Sequence, residues 1–250
     1  MRTPESAEVL VSCTSPSVGR IRLPNLASMN LASRLLVAAF VLLAAGCATH
    51  RASVPEINEP PREGLSLNQP VLFSVFDARA DKSNSEQVTG AIERGIARAY
   101  GSAVEQVGHF EPVPEGRVAV RIRLMANGAD FGSRLISATA ISNSFATARA
   151  QSSDFWQPVV TVAAEQSSVT TAFEAEGWWV GTSWLEIEIQ DQRPDDADRI
   201  TLPIVAEERE SNTFGYRSAG RASSKAWGRA SQQLFHLMDT LLTTLRDQGA

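Results

Sequence analysis

The chain has 250 residues, 43% of them hydrophobic and 20% charged, a composition that supports one sizeable folded domain and excludes wholesale disorder. Its formal net charge of -5 excludes a general nucleic-acid binder, which needs a concentrated basic surface to displace counterions from phosphate. Only Cys13 and Cys47 are available for thiol chemistry, so a chain cut before Cys47 has no internal disulfide.

Residues 35–45 read Leu-Leu-Val-Ala-Ala-Phe-Val-Leu-Leu-Ala-Ala, an apolar run behind Arg34 and ahead of Gly46 and Cys47. Charge, short apolar run and small residues in that order make a secretory signal, whereas a membrane-spanning helix needs about 20 apolar residues. His50 and Arg51 end the run too early for that. The junction Leu43-Ala44-Ala45-Gly46-Cys47 resembles the lipobox of bacterial lipoproteins. That resemblance implies cleavage between Gly46 and Cys47, a diacylglycerol on the Cys47 sulfur and an N-acyl chain on its amino group, with no other cofactor. Ala44 stands where the family most often has Leu. Residues 1–28 carry Glu5, Glu8 and three prolines, while Met29-Asn-Leu-Ala-Ser-Arg34 is a compact basic lead-in. The expectation is therefore an upstream extension over 1–28 and a signal peptide over 29–46.

Residues 47–68 contain Pro55, Pro60, Pro61 and Gly64 among Glu56, Glu59 and Glu63, and read as an extended tether that holds a domain over 69–250 clear of the bilayer. The chain beyond Cys47 is more acidic than the whole, because Arg2, Arg20, Arg22 and Arg34 precede it against only Glu5 and Glu8. Anchoring is expected from the acyl chains and not from attraction to anionic lipid.

Val71-Leu72-Phe73-Ser74-Val75-Phe76, ending at Asp77, predicts a buried strand. Ser83 and Glu86 have capping-box spacing, and Val88, Ile92, Ile96, Tyr100 and Val104 follow as a helical stripe that Gly101 interrupts. Over 117–124, Val118, Val120, Ile122 and Leu124 alternate with Arg117, Ala119, Arg121 and Arg123, the period of a half-buried strand. The stretch 138–150 is open between helix, strand and insertion. Strands are expected over 156–165, 169–176 and 178–190, joined as an antiparallel meander, then near 200–207. A final helix carries Leu234, Leu237, Met238, Leu241, Leu242 and Leu245, with Ala226 and Ala230 in its first turns. The fold class expected is α+β, one mostly antiparallel sheet backed by two main helices.

The strand ending Asp77-Ala78-Arg79, the helix from about Glu86, the arginine-alternating strand and the stretch Gly220-Arg221-Ala222-Ser223 leading into the last helix resemble the YajG-like lipoproteins. A similar layout occurs in lipopolysaccharide-assembly lipoproteins and in auxiliary lipoproteins of envelope transporters. The resemblance implies an accessory or structural role in the envelope, and it brings no catalytic residues.

Asp77 and Arg79 share a strand face and form a candidate polar pair. Arg117, Arg121 and Arg123 make either an anion-binding strip or an ordinary wet sheet face paired to Glu186 and Glu188. Trp178 and Trp179, adjacent in a strand, must point to opposite faces, so one of them is exposed or at an interface. His50, His109 and His236 show no metal spacing and no nucleophile pattern. The function expected is a non-enzymatic envelope component on the periplasmic face of the outer membrane, with the membrane and envelope proteins, polymers or lipids as partners and no nucleic acid. A lipid or glycolipid carrier is the alternative, and a hydrolase whose residues meet only in three dimensions is the second.

Overall fold

The computed structural model describes residues 54–82, 84–132, 138–166, 177–193 and 198–248, all inside one compact unit, Ala48–Ala250. Met29, Gly46 and Cys47, Ser83 of the capping box, and the strand expected over 169–176 lie outside the described residues.

Val71–Asp77 forms β1, and Ser85–Tyr100 forms α1 with Val88, Ile92, Ile96 and Tyr100 buried one turn apart. The stripe stops short of Val104. Gly101 adopts a φ of 50°, which ends the helix, and Val104–Gln106 becomes a short strand, β2. Because α1 carries the chain back across the sheet, β2 lies parallel to β1. Val118–Phe131 is β3, also parallel to β1.

Two helices follow β3. Ala138–Gln151 is α2, with Ile141, Phe145 and Ala148 buried, and Gln157–Gln166 is α3 after a single 3-10 turn at Asp154–Trp156. The strand expected over 156–165 is thus a helix. Its Val159, Val160 and Val162 suggest a strand, but Trp156, Val159, Val160 and Ala163 are the buried set, with helical spacing. Pro158 sits in the first turn, where a missing N–H has no helical partner to lose.

Trp178–Asp191 is β4 and Asp198–Ser211 is β5, paired antiparallel to β3 and to each other in the order β2-β1-β3-β4-β5. The α+β class holds. The sheet is mixed and not mostly antiparallel, because both ladders of β1 are parallel, and four α-helices are described where two main ones were expected. A register shift between Leu124 and Ala126 bulges β3, so that Ala129 lies opposite Gly181 and packs with Trp179, Ala219 and Ala222.

Tyr216–Asp247 is α4, and its buried stripe runs from Ser218 to Leu245. Gly220 to Ser223 are therefore inside the helix and not before it, and Ala226 and Ala230 lie beyond its first turns. The first half of α4 is built of Ala and Ser because β4 comes so close. A Cβ on Gly181 would stand 2.5 Å from the Ser223 amide nitrogen. Farther along, Leu234, Leu237, Met238 and Leu241 close the core over Val120, Ile122, Leu185, Ile187 and Leu202.

The described part of the expected tether is docked. Val54 and Ile57 are buried in the core, and the Pro55 carbonyl accepts from Trp227 Nε1 at 3.3 Å. The Arg62 amide donates to the Ala99 carbonyl at 2.7 Å, and its guanidinium grips both oxygens of Asp239 at 3.0 and 3.1 Å. Tyr100 donates to Asp239 as well, at 2.9 Å. Prolines keep this strap out of helix, yet its apolar side chains and carbonyls remain free to pack.

Candidate functional site

The sheet face turned away from the core carries a charged ladder. Arg123 of β3 bridges Glu186 at 3.1 Å and Glu188 at 3.2 Å on β4, and Arg199 of β5 reaches Glu188 at 2.8 Å. Burial alone raises the Glu188 carboxyl, but hydrogen bonds from Arg199 and Gln190 and the charge of Arg123 hold it below the ordinary range. Of the other two arginines, Arg117 holds β2 and the lead into β1, and Arg121 ties down the connection between β2 and β3. Arg117 donates to the Pro70 carbonyl at 2.9 Å and to Glu105 at 3.0 Å, and Arg121 donates to the Glu111 carbonyl at 2.5 Å. The expected strip is therefore a set of paired cations, each with a different partner.

That connection brings an aromatic cap over the same face. His109 Nδ1 and Ser74 Oγ are 3.1 Å apart, and the imidazole stacks on Phe76 with ring centres 4.9 Å apart. Phe110 meets both rings edge-on, at 5.3 and 5.1 Å, and is itself 78% exposed. Burial, then the charges of Arg123 and Arg121, lower the His109 pKa and favour the neutral ring. Beside the cap lies a cleft of about 150 Å³ lined by Ser74, Glu111, Pro112, Arg117 and Arg121. In the sequence His109 reads as an ordinary structural residue. The available signal was an aromatic pair, His109-Phe110, in a proline-bearing connection.

Asp77 and Arg79 do come together. The Arg79 amide and Nε donate to Asp77 Oδ1 at 3.0 and 2.9 Å, Nη2 donates to Oδ2 at 2.7 Å, and Nη2 also reaches Asn84 at the start of α1. Burial pulls the Asp77 carboxyl up, and the bonds from Arg79 and Ser85 outweigh it and hold it down. Asp191 and Arg193, at the end of β4, repeat the same three bonds at 3.0, 2.9 and 2.7 Å, with the guanidinium 4.7 Å above the Phe155 ring. The sequence signal for this second pair is Asp191-Gln192-Arg193, with the spacing of Asp77-Ala78-Arg79. Both are closed clamps at strand ends.

At the far end of the sheet Trp178 is 41% exposed and Trp179 is buried, on opposite faces as adjacent strand residues must be. Trp179 packs between Phe131, 5.3 Å away, and Tyr216, 5.9 Å away, and donates to Asn212 at 2.9 Å. Phe131, Phe214 and Tyr216 are exposed around it. Arg209 lies 6.0 Å over Trp178, and Arg221 lies 5.4 Å over Phe214. Only the Trp pair was visible in sequence, since the sheet and the α4 start assemble the others from distant segments. Among the described residues no three of His, Cys, Asp and Glu converge as metal ligands, and no helix is long and apolar enough to cross a membrane.

No family model matches the chain. No curated protein matches it either. Among solved structures, the crystal structure of protein XCC0632 from Xanthomonas campestris, described as DUF330, is similar with a TM-score of 0.39 and 11% identity, over 79% of this chain and 99% of that one. The hypothetical protein CT253 from Chlamydia trachomatis is similar with a TM-score of 0.34 and 11% identity, over 71% of this chain and 98% of that one. Likeness at this level assigns this chain neither a family nor a function.

Proposed function

We propose that the chain is a lipid-anchored, non-enzymatic accessory or scaffold protein of a bacterial envelope assembly or transport system. Acyl chains on Cys47 hold it at the periplasmic face of the outer membrane, and it works through protein contacts made by the outer face of its sheet. The lipobox at Leu43 to Cys47 supports the anchor. The observation that carries the contact role is the presentation of Phe110. Leaving a large aromatic side chain in water forgoes roughly 1.5–3 kcal/mol of burial, and here the ring is braced by Phe76 and His109 so that it stands out in one orientation.

Arginines beside exposed aromatics are the residue types that dominate protein interfaces. The adjoining cleft of about 150 Å³ is smaller than the roughly 300–1,000 Å³ of small-molecule sites and suits a single partner side chain. A photo-crosslinking residue placed at position 110, with position 246 as control, tests the reading in intact cells. A discrete adduct with one envelope protein, found at 110 and not at 246, is the expected result. The same weak adducts at both positions would overturn it.

A further inference from the structure

The strap has a direction. Followed from Arg62 back to Pro55, its partners on α4 move from Asp239 to Trp227, that is, toward the N-terminus of that helix. On α1 the same walk moves from Ala99 through Arg98 and Gly95 to Arg94. Val54, the first described residue, therefore lies on the side of the domain toward the start of α4. From Trp227 to Tyr216 is about 16 Å at 1.5 Å per helical residue. Cys47 precedes Val54 by seven residues, which span at most about 25 Å fully extended. A bilayer that holds acyl chains on Cys47 thus lies within reach of the start of α4.

That end of the domain has the chemistry of a membrane interface. Phe131, Phe214 and Tyr216 are exposed there around Trp179, and Trp178 is exposed on the opposite face of the same strand end. Indole and phenol rings, apolar in body and polar at the tip, settle at the headgroup level of bilayers. The charge is also placed against the helix's own preference. The first turn of α4 has no acidic residue and contains Arg217, where the helix dipole is already positive and cations are unfavourable, while Arg221 follows one turn later over the Phe214 ring. An anionic layer outside the protein removes that conflict. Nearby Glu208 and Glu210 are neutralised within the fold, by Arg229 at 2.8 Å and by Lys225.

We propose that the end of the domain formed by Phe131, Trp178, Phe214 and Tyr216 with Arg217 and Arg221 rests on the anionic headgroup layer of the membrane that anchors Cys47. The proposal builds on the lipid-anchored reading above. It places the Phe110 face on the side of the domain and leaves it clear for a protein partner.

The test uses the full chain, expressed as all 250 residues, purified in detergent from the membrane fraction and reconstituted into vesicles. One set is phosphatidylethanolamine with phosphatidylglycerol carrying brominated acyl chains, and the other is brominated phosphatidylcholine alone. Bromine quenches tryptophan fluorescence at short range; Trp156, Trp179 and Trp227 are buried, and the partly buried Trp184 lies six residues farther along β4 from Trp178. The expected result is quenching in the anionic vesicles that is mostly lost in Trp178→Phe and weakened in Arg217→Glu with Arg221→Glu and in phosphatidylcholine. Quenching unchanged in Trp178→Phe, or absent while the chain floats with the vesicles, overturns the proposal. Protection of Trp178 by a co-purifying protein overturns it in favour of a protein contact. The mass of the N-terminal peptide, read on the same sample, judges the anchor separately. Trp178-dependent quenching with an unacylated Cys47 would sink the anchor and leave this surface standing.

Discussion

Two glycine-to-alanine substitutions are expected to have opposite signs, and the difference tests the packing of α4 on β4. At Gly181 the added methyl would lie 2.5 Å from the Ser223 amide nitrogen and closer still to the Ala222 carbonyl. Carbon contacts settle near 3.5–4.0 Å, so the helix or the strand must withdraw by about 1 Å or more, and neither neighbour is a side chain that can swing aside. Overpacked cores lose about 1–3 kcal/mol, and a backbone-to-backbone clash belongs at the upper end. Gly181→Ala should therefore destabilise the chain by about 3 kcal/mol. At Gly228 an added Cβ meets nothing within 4 Å, and the residue lies in the interior of α4. Alanine there should stabilise by about 0.5–1 kcal/mol. Both changes restrict the unfolded chain alike, so the gap between them isolates the contact. Urea denaturation followed by circular dichroism reads both. A Gly181→Ala chain within about 0.5 kcal/mol of wild type would refute the close approach.

Other expectations follow from the core, the clamps and the strap. Leu241 is fully buried in α4, so Leu241→Ala should cost about 2–5 kcal/mol in the same assay, and a shift below about 0.5 kcal/mol would make its stripe a binding surface instead. Asp77 is held below the ordinary carboxylate range, so its contribution is complete above the unfolded value near 3.9 and fades as pH falls through the folded one. Stability should then drop below about pH 4, and Asp77→Asn, which leaves the partly buried Arg79 without its charge partner, should cost about 1–3 kcal/mol at pH 7 while flattening the acid limb. An unaltered acid limb in that variant would contradict the assignment. Arg62→Ala removes the grip on Asp239 and should speed proteolytic cleavage within residues 54–62, whereas equal cleavage rates would mean that Val54 and Ile57 hold the strap unaided.

Where one periodicity dominated, the sequence was legible. The alternation around Arg117 to Leu124 and the leucine stripe of α4 both became the elements expected, and Trp178 and Trp179 split between faces as pleating requires. Failures came where two signals competed. The valines of α3 carry a strand preference that the burial of Trp156, Val159, Val160 and Ala163 overrides. Small residues hid the start of α4, because a helix lying directly on Gly181 needs no large apolar side chains. Prolines marked the strap as a linker, although Val54, Ile57 and Arg62 were enough to dock it. The parallel pairing of β1 was open to inference from the helix that follows it. The aromatic end was not, since Phe131, Trp178, Phe214 and Tyr216 come from separate segments that only the tertiary structure brings to one end.

The central claim is that this chain is tied to a membrane through Cys47. Mass spectrometry of the N-terminal peptide from protein isolated out of its native membranes tests it most directly. The account predicts a peptide beginning at Cys47, carrying a diacylglyceryl group on sulfur and an acyl chain on nitrogen, and absent in Cys47→Ser. A peptide that runs unbroken through Gly46, or a free Cys47 thiol, would contradict it.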